Sequence, residues 1–174
     1  MKQTRGYIHV YTGDGKGKTT AALGLALRAA GAGLNVFIAQ FMKLGDYSEI
    51  KALKRFADCI TVEQFGLGRF IRGNPDPEDI AAARQGLERV RQVFAAGRHQ
   101  VVILDEANVA ASCGLFSPVD ILDLINSKPE GVEVVMTGRN AAPEITARAD
   151  LVTEMRAIKH YYRNGVQARP GIER

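Results

Sequence analysis

The stretch "YTGDGKGKTT", residues 11–20, decides how the rest of this chain is read. Its end, Gly17, Lys18 and Thr19, matches the close of the common phosphate-binding loop, in which a glycine, four residues and Gly-Lys-Ser/Thr follow a strand. Counting back puts Thr12 where the first glycine belongs, and Gly13 stands one residue late. The chemistry still suits a polyphosphate. Gly13, Gly15 and Gly17 let backbone N–H groups converge on an anion with no Cβ in the way. Lys18 brings a cation to the point where the loop enters a helix, and the helix N-terminus adds to the same field. Without ligand its side chain is expected to face solvent. Thr19 offers a hydroxyl to a Mg²⁺ ion held by the phosphates. A plain glycine turn is the alternative, and the flanks argue against it: "YIHVYT" (7–12) reads as a strand and "TTAALGLALRAAGAG" (19–33) as a helix closed by glycines.

Outward from the loop, short apolar runs alternate with helical patterns. "NVFIAQF" (35–41), "CITVEQF" (59–65), "QVVILD" (100–105) and "VEVVMTG" (132–138) read as strands. "YSEIKALKRFA" (47–57), "PEDIAAARQGLERVRQVFAAG" (77–97) and "SPVDILDLINSK" (117–128) read as helices, with Pro77 near the start of one and Ser117 and Pro118 as N-cap and first turn of another. "DLVTEMRAI" (150–158) and "GVQAR" (165–169) are candidate edge strands. Residues 66–79 hold three glycines and two prolines and form a loop. Strand–helix alternation with apolar strands predicts an α/β fold: a mostly parallel sheet with helices on both faces, of the P-loop NTPase (RecA-like) kind, as one domain over 1–174. Ligands bind at the carboxyl ends of the strands in such sheets. The phosphate loop, Asp105-Glu106 and Thr137-Gly138-Arg139 all lie there.

Composition limits the rest. The chain has 174 residues, 46% hydrophobic and 24% charged, which suits one soluble globular domain. A net charge of +4 fits an anionic ligand and is too mild to argue for nucleic acid. Seven of the basic residues (Arg139, Arg148, Arg156, Lys159, Arg163, Arg169 and Arg174) fall after position 138, against four acids there. Cys59 and Cys113, far apart and outside any CxxC, are expected as buried apolar thiols. "MKQTRGYIHVY" carries no signal peptide and no run is long enough to span a membrane, so a cytoplasmic protein is expected. His9, within a strand, reads as structural, and His99 sits in a polar turn; Lys159 and His160 could meet a ligand or belong to a solvated basic strip.

"VVILDEAN" (101–108) supports the loop. Four apolar residues deliver Asp105 to the sheet's carboxyl edge, where a metal ligand, direct or through water, must sit. Glu106 follows; it could activate water in an ATPase, or ligate the metal.

The chain resembles the ATP:corrinoid adenosyltransferases, the P-loop family of the cobalamin pathway that acts on cob(I)yrinic acid diamide and cobinamide. The resemblance rests on "YTGDGKGKTTAALGLALRAAG", "VFIAQFMK", "VVILDEANVA", "VVMTGRNA" and "ADLVTEMRAIKHYYRNGVQARPGIE". The shortened phosphate loop is that family's own version, which accounts for the spacing. The resemblance implies that Co(I) of a corrinoid attacks the 5′ carbon of ATP and expels triphosphate, with ATP lying reversed in the loop and Mg²⁺ or Mn²⁺ bound. It implies that Gly13, Asp14, Gly15, Lys16, Gly17, Lys18, Thr19, Thr20 and Arg139 bind ATP, with Asp14 near the ribose and Arg139 near the phosphates. Thr19 and Glu106 would hold the metal with Asp105 in support. Lys18, Glu106 and Phe70 would carry the catalytic roles. A homodimer and an electron donor such as a reduced flavoprotein are implied partners; nucleic acid and membrane are not.

Two departures stand out. Relatives often carry an aromatic Phe-x-Trp pair after the third strand, beside the cobalt. Here the region reads "FGLGRFIRG" and the chain has no tryptophan, which leaves Phe65 or Phe70 for that place. Relatives often have a longer N-terminal arm that helps close the site across a dimer, so either closure comes from elsewhere or the site is more open. The rival readings are a P-loop ATPase with Glu106 as base, a small-molecule kinase, and a RecA-like nucleic-acid module. A GTPase is disfavoured because no Asn-Lys-x-Asp is present.

Overall fold

The structure is a computed structural model that describes residues 5–71 and 73–173; Arg72 and Arg174 of the basic and loop counts lie outside it. Six strands among these residues form one sheet: β1 (Ile8–Thr12), β2 (Val36–Phe41), β3 (Ile60–Phe65), β4 (Val101–Asp105), β5 (Glu133–Thr137) and β6 (Leu151–Glu154). Their order is β3-β2-β4-β5-β1-β6, and every pairing is parallel.

Parallel strands need crossovers, and the helices that supply them cover both faces. Successive side chains of a strand point to opposite faces, so a strand buried on both sides must be apolar throughout. β2 meets that demand except at Gln40: Val36 and Ile38 pack in one cluster, while Phe37, Ala39 and Phe41 pack in the other. β4 divides likewise, Val101 and Ile103 from Val102 and Leu104. The first cluster is roofed by the alanine face of α1 (Lys18–Gly31), through Ala22, Ala26 and Ala29, and by Leu53 of α2 (Ser48–Leu53). The second takes Leu87, Val90 and Phe94 of α3 (Pro77–Ala96) and Ile121, Leu124 and Ile125 of α5 (Pro118–Asn126).

Local signals account for the helix ends. Pro77 and Pro118 occupy first turns, and Ser117 makes a capping box with Asp120: its hydroxyl accepts from the Asp120 N–H while the Asp120 carboxylate accepts from the Ser117 N–H. Two six-residue helices, α4 (Ala107–Ser112) and α6 (Pro143–Arg148), were not expected from the sequence, because one and a half turns are too short for periodicity to register.

Two expectations are corrected. Residues 165–169 form no strand: Gly165 takes a left-handed conformation (φ 80°) and closes a 3₁₀ turn over Tyr161–Asn164, after which the chain runs irregularly. Cys59 and Cys113 are not buried; both are half-buried free thiols, and Cys113 lines the cavity described below. His9 is structural, its Nε2 2.6 Å from Glu133. His99 lies in the turn between α3 and β4, where its ring packs edge-on against Phe37.

Candidate active site

The carboxyl ends of β1, β2, β4 and β5 surround one cavity of about 1120 Å³. Beneath the lining, as the base of the cavity floor, lies Asp105, fully buried at the end of β4 and bonded to the lining residues Thr19 and Lys43. Two oxygens of this carboxylate accept four hydrogen bonds from four parts of the chain. Oδ1 receives Thr19 Oγ1 (2.8 Å) from α1 and Thr137 Oγ1 (2.7 Å) from β5. Oδ2 receives Gln40 Nε2 (3.0 Å) from β2 and Lys43 Nζ (2.8 Å) just beyond it. The strand order explains the arrangement. β5 lies between β4 and β1, so Thr137 is the bridge between the acidic strand and the strand that feeds the loop. Gln40 in turn receives Gln64 Nε2 (3.0 Å) from β3, which extends the network to the sheet edge.

Glu106 follows on a strained backbone (φ 61°), with its N–H donating to Thr137 Oγ1 (2.9 Å). Among the described residues, three non-glycines have positive φ: Met42, Glu106 and Asn140. Met42 and Glu106 directly follow β2 and β4 and line the cavity; Asn140 lies after β5, next to the lining residue Arg139. Left-handed backbone in a non-glycine costs on the order of 1–3 kcal/mol and persists where the surroundings enforce it, commonly at ligand sites. Here it places Glu106 on the cavity wall. Burial, and then the neighbouring Asp105, push its pKa up; Lys43, Lys18 and Arg139 pull the other way.

The phosphate loop differs from expectation in two respects. First, Lys18 does not face solvent. It is 8% exposed and its Nζ donates to the carbonyls of Gly13 and Gly15, both at 2.6 Å. Burial first, then Arg139, lower its pKa. The loop thus wraps around the lysine that serves it. Second, the glycines at 13 and 15 are required by the protein as well as by any anion. The chain leaving β6 crosses the loop: the Gly15 N–H donates to the Met155 carbonyl (2.7 Å) and the Ala157 N–H to Asp14 (3.2 Å). A Cβ on Gly13 would stand 2.4 Å from the Met155 oxygen, and one on Gly15 2.7 Å from it. Gly17 is left-handed (φ 120°) and opens α1, where the Ala21 N–H makes the first helical bond to Gly17. The amides of Lys18, Thr19 and Thr20 precede that bond and have no partner within the helix, which suits an anion.

The structure therefore brings Lys16, Lys18, Thr19, Thr20, Glu106 and Arg139 to one cavity wall. Lys16 is turned toward the C-terminal segment, where Nζ donates to Tyr161 Oη (3.1 Å), the Ile172 carbonyl (2.7 Å) and Glu173 (3.1 Å). The lining also carries apolar side chains: Leu23 and Leu27 on α1, Met42, Val109, and Phe70 and Ile71 from the loop after β3. Phe70 is 94% exposed, so it is not a core residue; Phe65 is buried and ends β3. Arg69 fixes the loop beside it, with Nε and Nη2 on the two oxygens of Asp79 (3.2 and 2.8 Å) and Nη2 on Asp76 (2.8 Å). Sequence reasoning placed Thr137 at the carboxyl edge of the sheet without a role for it, and missed Gln40, Lys43 and the C-terminal contacts. Only Gln40 carried a signal, as a polar residue inside an otherwise apolar run.

A sequence model of "ATP:corrinoid adenosyltransferase BtuR/CobO/CobP" matches residues 4–174. The chain belongs to this family. It is 34% identical over 173 residues to the corrinoid adenosyltransferase of Pseudomonas aeruginosa, covering 99% of this chain and 85% of that protein. It is also 34% identical over 174 residues to the corrinoid adenosyltransferase of a Sinorhizobium species, covering 97% of this chain and 80% of that one. The corrinoid adenosyltransferase CobA of Salmonella typhimurium is 31% identical over 172 residues, 99% of this chain and 87% of its own length. Family membership makes the chain a transferase that uses ATP and a corrinoid. The parallel sheet, the shortened phosphate loop and the acidic strand end are the P-loop frame of that activity.

The donor set also bears on a metal. No group of three or more His, Cys, Asp or Glu side chains that could hold a metal occurs among the described residues. Mg²⁺ on a nucleotide does not need one, because it takes one or two protein oxygens and completes its shell with phosphate and water. Thr19 and Glu106 fit that requirement. Asp105, with four donors already on its oxygens, fits the supporting place.

Proposed function

We propose that this chain transfers the 5′-deoxyadenosyl group of ATP to Co(I) of a corrinoid such as cob(I)yrinic acid diamide, cobinamide or cobalamin. The cobalt lone pair forms the bond to C5′, and the C5′–oxygen bond breaks with its electrons going to triphosphate. One observation carries the reading: a single cavity joins a phosphate loop to apolar side chains that include an exposed phenylalanine. At about 1120 Å³ it exceeds the roughly 300–1,000 Å³ of most single-ligand pockets, so it has room for two substrates.

The roles proposed here combine the family resemblance with the cavity lining. The amides of Lys18, Thr19 and Thr20, with Lys16, Lys18 and Arg139, hold the triphosphate and offset the charge it gains as it leaves. Gly13, Gly15 and Gly17 shape the loop, and Asp14 lies on the ribose side. Thr19 and Glu106 hold Mg²⁺ or Mn²⁺, which supplies further charge neutralisation on the triphosphate, and Asp105 aligns Thr19. Phe70 faces the corrinoid. A reduced flavoprotein as electron donor, a homodimer, a single 1–174 domain and a cytoplasmic setting belong to the same proposal and rest on the family resemblance. No helix among the described residues is long and apolar enough to cross a membrane.

Product analysis tests this. With ATP, divalent cation and chemically reduced corrinoid, equimolar adenosylcorrinoid and triphosphate are expected. Steady release of inorganic phosphate or ADP without corrinoid would replace the proposal with an ATPase or a kinase.

A further inference from the structure

The chain beyond β6 returns to the site. After Met155–Ala157 cross the phosphate loop and Tyr161–Asn164 make their 3₁₀ turn, residues 169–173 come back across the mouth of the cavity. Pro170 lies in a small cleft with Leu44–Ser48 on one side, and Gly171, Ile172 and Glu173 line the main cavity. The segment is thus seated between the β2–α2 connection and the phosphate loop.

Its anchor is Lys16. A lysine ammonium has three protons to donate. Here they meet three oxygens, those of Tyr161, Ile172 and Glu173, all from this segment. The carboxylate is held ready: it accepts from the Tyr161 hydroxyl, from the Arg169 N–H (2.8 Å) and from the Arg169 guanidinium (3.1 Å to Oε1). Arg169 and Lys16 both lie over the Tyr161 ring. Hydrogen bonds from Arg169 and Tyr161 hold the Glu173 carboxyl far below the usual range, and those from Lys16 to Tyr161 and Glu173 raise the Lys16 pKa. An anionic oxygen therefore occupies the cation of the loop that the proposed function assigns to triphosphate.

We propose that residues 161–173 are a displaceable strap: Glu173 and the Ile172 carbonyl hold Lys16 while no nucleotide is bound, and the triphosphate of ATP takes Lys16 from them and frees the strap from the cavity mouth. The proposal rests on reading the loop as the triphosphate site. The contacts lie at the surface, where ion pairs are weak and exchange readily. A triphosphate offers several charges at once to Lys16, Lys18 and Arg139, so it wins the exchange. Occupation of the loop by nucleotide then opens the mouth for the larger second substrate.

The test uses the absence of tryptophan. Ile172→Trp places a single fluorophore on the strap, and its side chain is not the group that bonds Lys16. Inorganic triphosphate with Mg²⁺ is titrated while acrylamide quenching is followed; quenching is expected to rise as triphosphate binds. Triphosphate affinity is then measured by calorimetry for the otherwise native chain and for Glu173→Gln and Tyr161→Phe. Removing a weak competitor tightens binding, by about two- to fivefold for a surface pair. Triphosphate that protects the tryptophan, or that binds Glu173→Gln no more tightly than the native chain, overturns the strap while leaving the loop assignment standing. Triphosphate that does not bind the native chain at all overturns both.

Discussion

The floor and the rim of the cavity are built on opposite principles. At the floor, the buried Asp105 carboxylate gathers donors from α1, β2, β5 and the turn after β2, all at 3.0 Å or less. At the rim, Phe70 stands 94% exposed, and the C-terminal strap is held by surface ion pairs. The floor is finished when the sheet is finished. It orients Thr19 and Glu106 before any nucleotide arrives, which is what electrostatic preorganisation requires. The rim is made of contacts that a ligand can remake cheaply.

The comparison breaks most directly at Asp105. Asp105→Ala leaves Lys43, Thr19, Thr137 and Gln40 without their shared acceptor, and removing one member of a buried charged network costs about 3–5 kcal/mol. Chemical denaturation reads this. The matching rim change, Glu173→Ala, is expected to stay within about 0.5 kcal/mol of the native chain. Similar losses at both positions would show that the floor is no more prebuilt than the rim.

Lys18→Ala comes next. The ammonium is the buried cation of the loop, and removing one preorganised group that stabilises leaving charge lowers kcat by about 10²–10³. Turnover near the native value at saturating ATP would remove the loop from the active site. The folded-back position of Lys18, on the Gly13 and Gly15 carbonyls, adds a structural expectation. Nucleotide must draw the ammonium off those carbonyls, so the loop conformation with ATP should differ from the one described.

Much of the floor was legible in the sequence. Gly17-Lys18-Thr19 after an apolar strand, and Asp105 at the end of "VVIL", each name a residue type whose chemistry admits few other uses. The order of strands was not legible, and with it went the bridging role of Thr137, a residue already placed at the sheet's carboxyl edge; that role exists only because β5 lies between β4 and β1. Nor were the backbone strains at Met42, Glu106 and Asn140, since nothing in those residue types demands φ > 0. The strap was the least visible part. Lys16 and Glu173 are 157 residues apart in the chain, and their meeting depends on an irregular segment in which "GVQAR" reads as a candidate edge strand. Periodicity reports burial, and this segment buries little.

Glu106 sharpens the comparison because it belongs to the floor yet is stabilised poorly there. Its raised pKa means that the folded protein disfavours the ionised form. Stability from this group is fully present below the ordinary carboxylate pKa and falls as pH rises through the elevated value in the folded state. Glu106→Gln is therefore expected to raise the melting temperature at neutral pH and to lose that advantage on acidification. The same change removes the carboxylate proposed for the metal, so activity falls about 10–100-fold, with a rise in the Mg²⁺ concentration needed for half-maximal rate. Native-like activity together with abolished corrinoid-independent ATP hydrolysis would instead make Glu106 a general base.

Phe70 is the smallest expected effect and the cleanest probe of the rim. Arg69 ties the loop to Asp79 and Asp76, and Ile71 packs on the core, so the backbone on either side of Phe70 is held without its ring. Removing an exposed ring should leave stability within about 0.5 kcal/mol. If the ring faces the corrinoid, it excludes water and the lower ligand from cobalt, which favours four-coordinate Co(II) and eases its reduction. Phe70→Ala is then expected to cut the yield of four-coordinate Co(II) on the ATP-bound protein, to slow adenosylation by about tenfold when Co(II) is supplied, and to do much less when the corrinoid is supplied already as Co(I). That last contrast separates a role in reduction from one in binding. An equal loss with both cobalt states would make Phe70 a binding contact only. No loss with either would leave the apolar lining to Leu23, Leu27 and Met42, all carried on or beside the elements that build the floor, and the division between floor and rim would then fail at the corrinoid side.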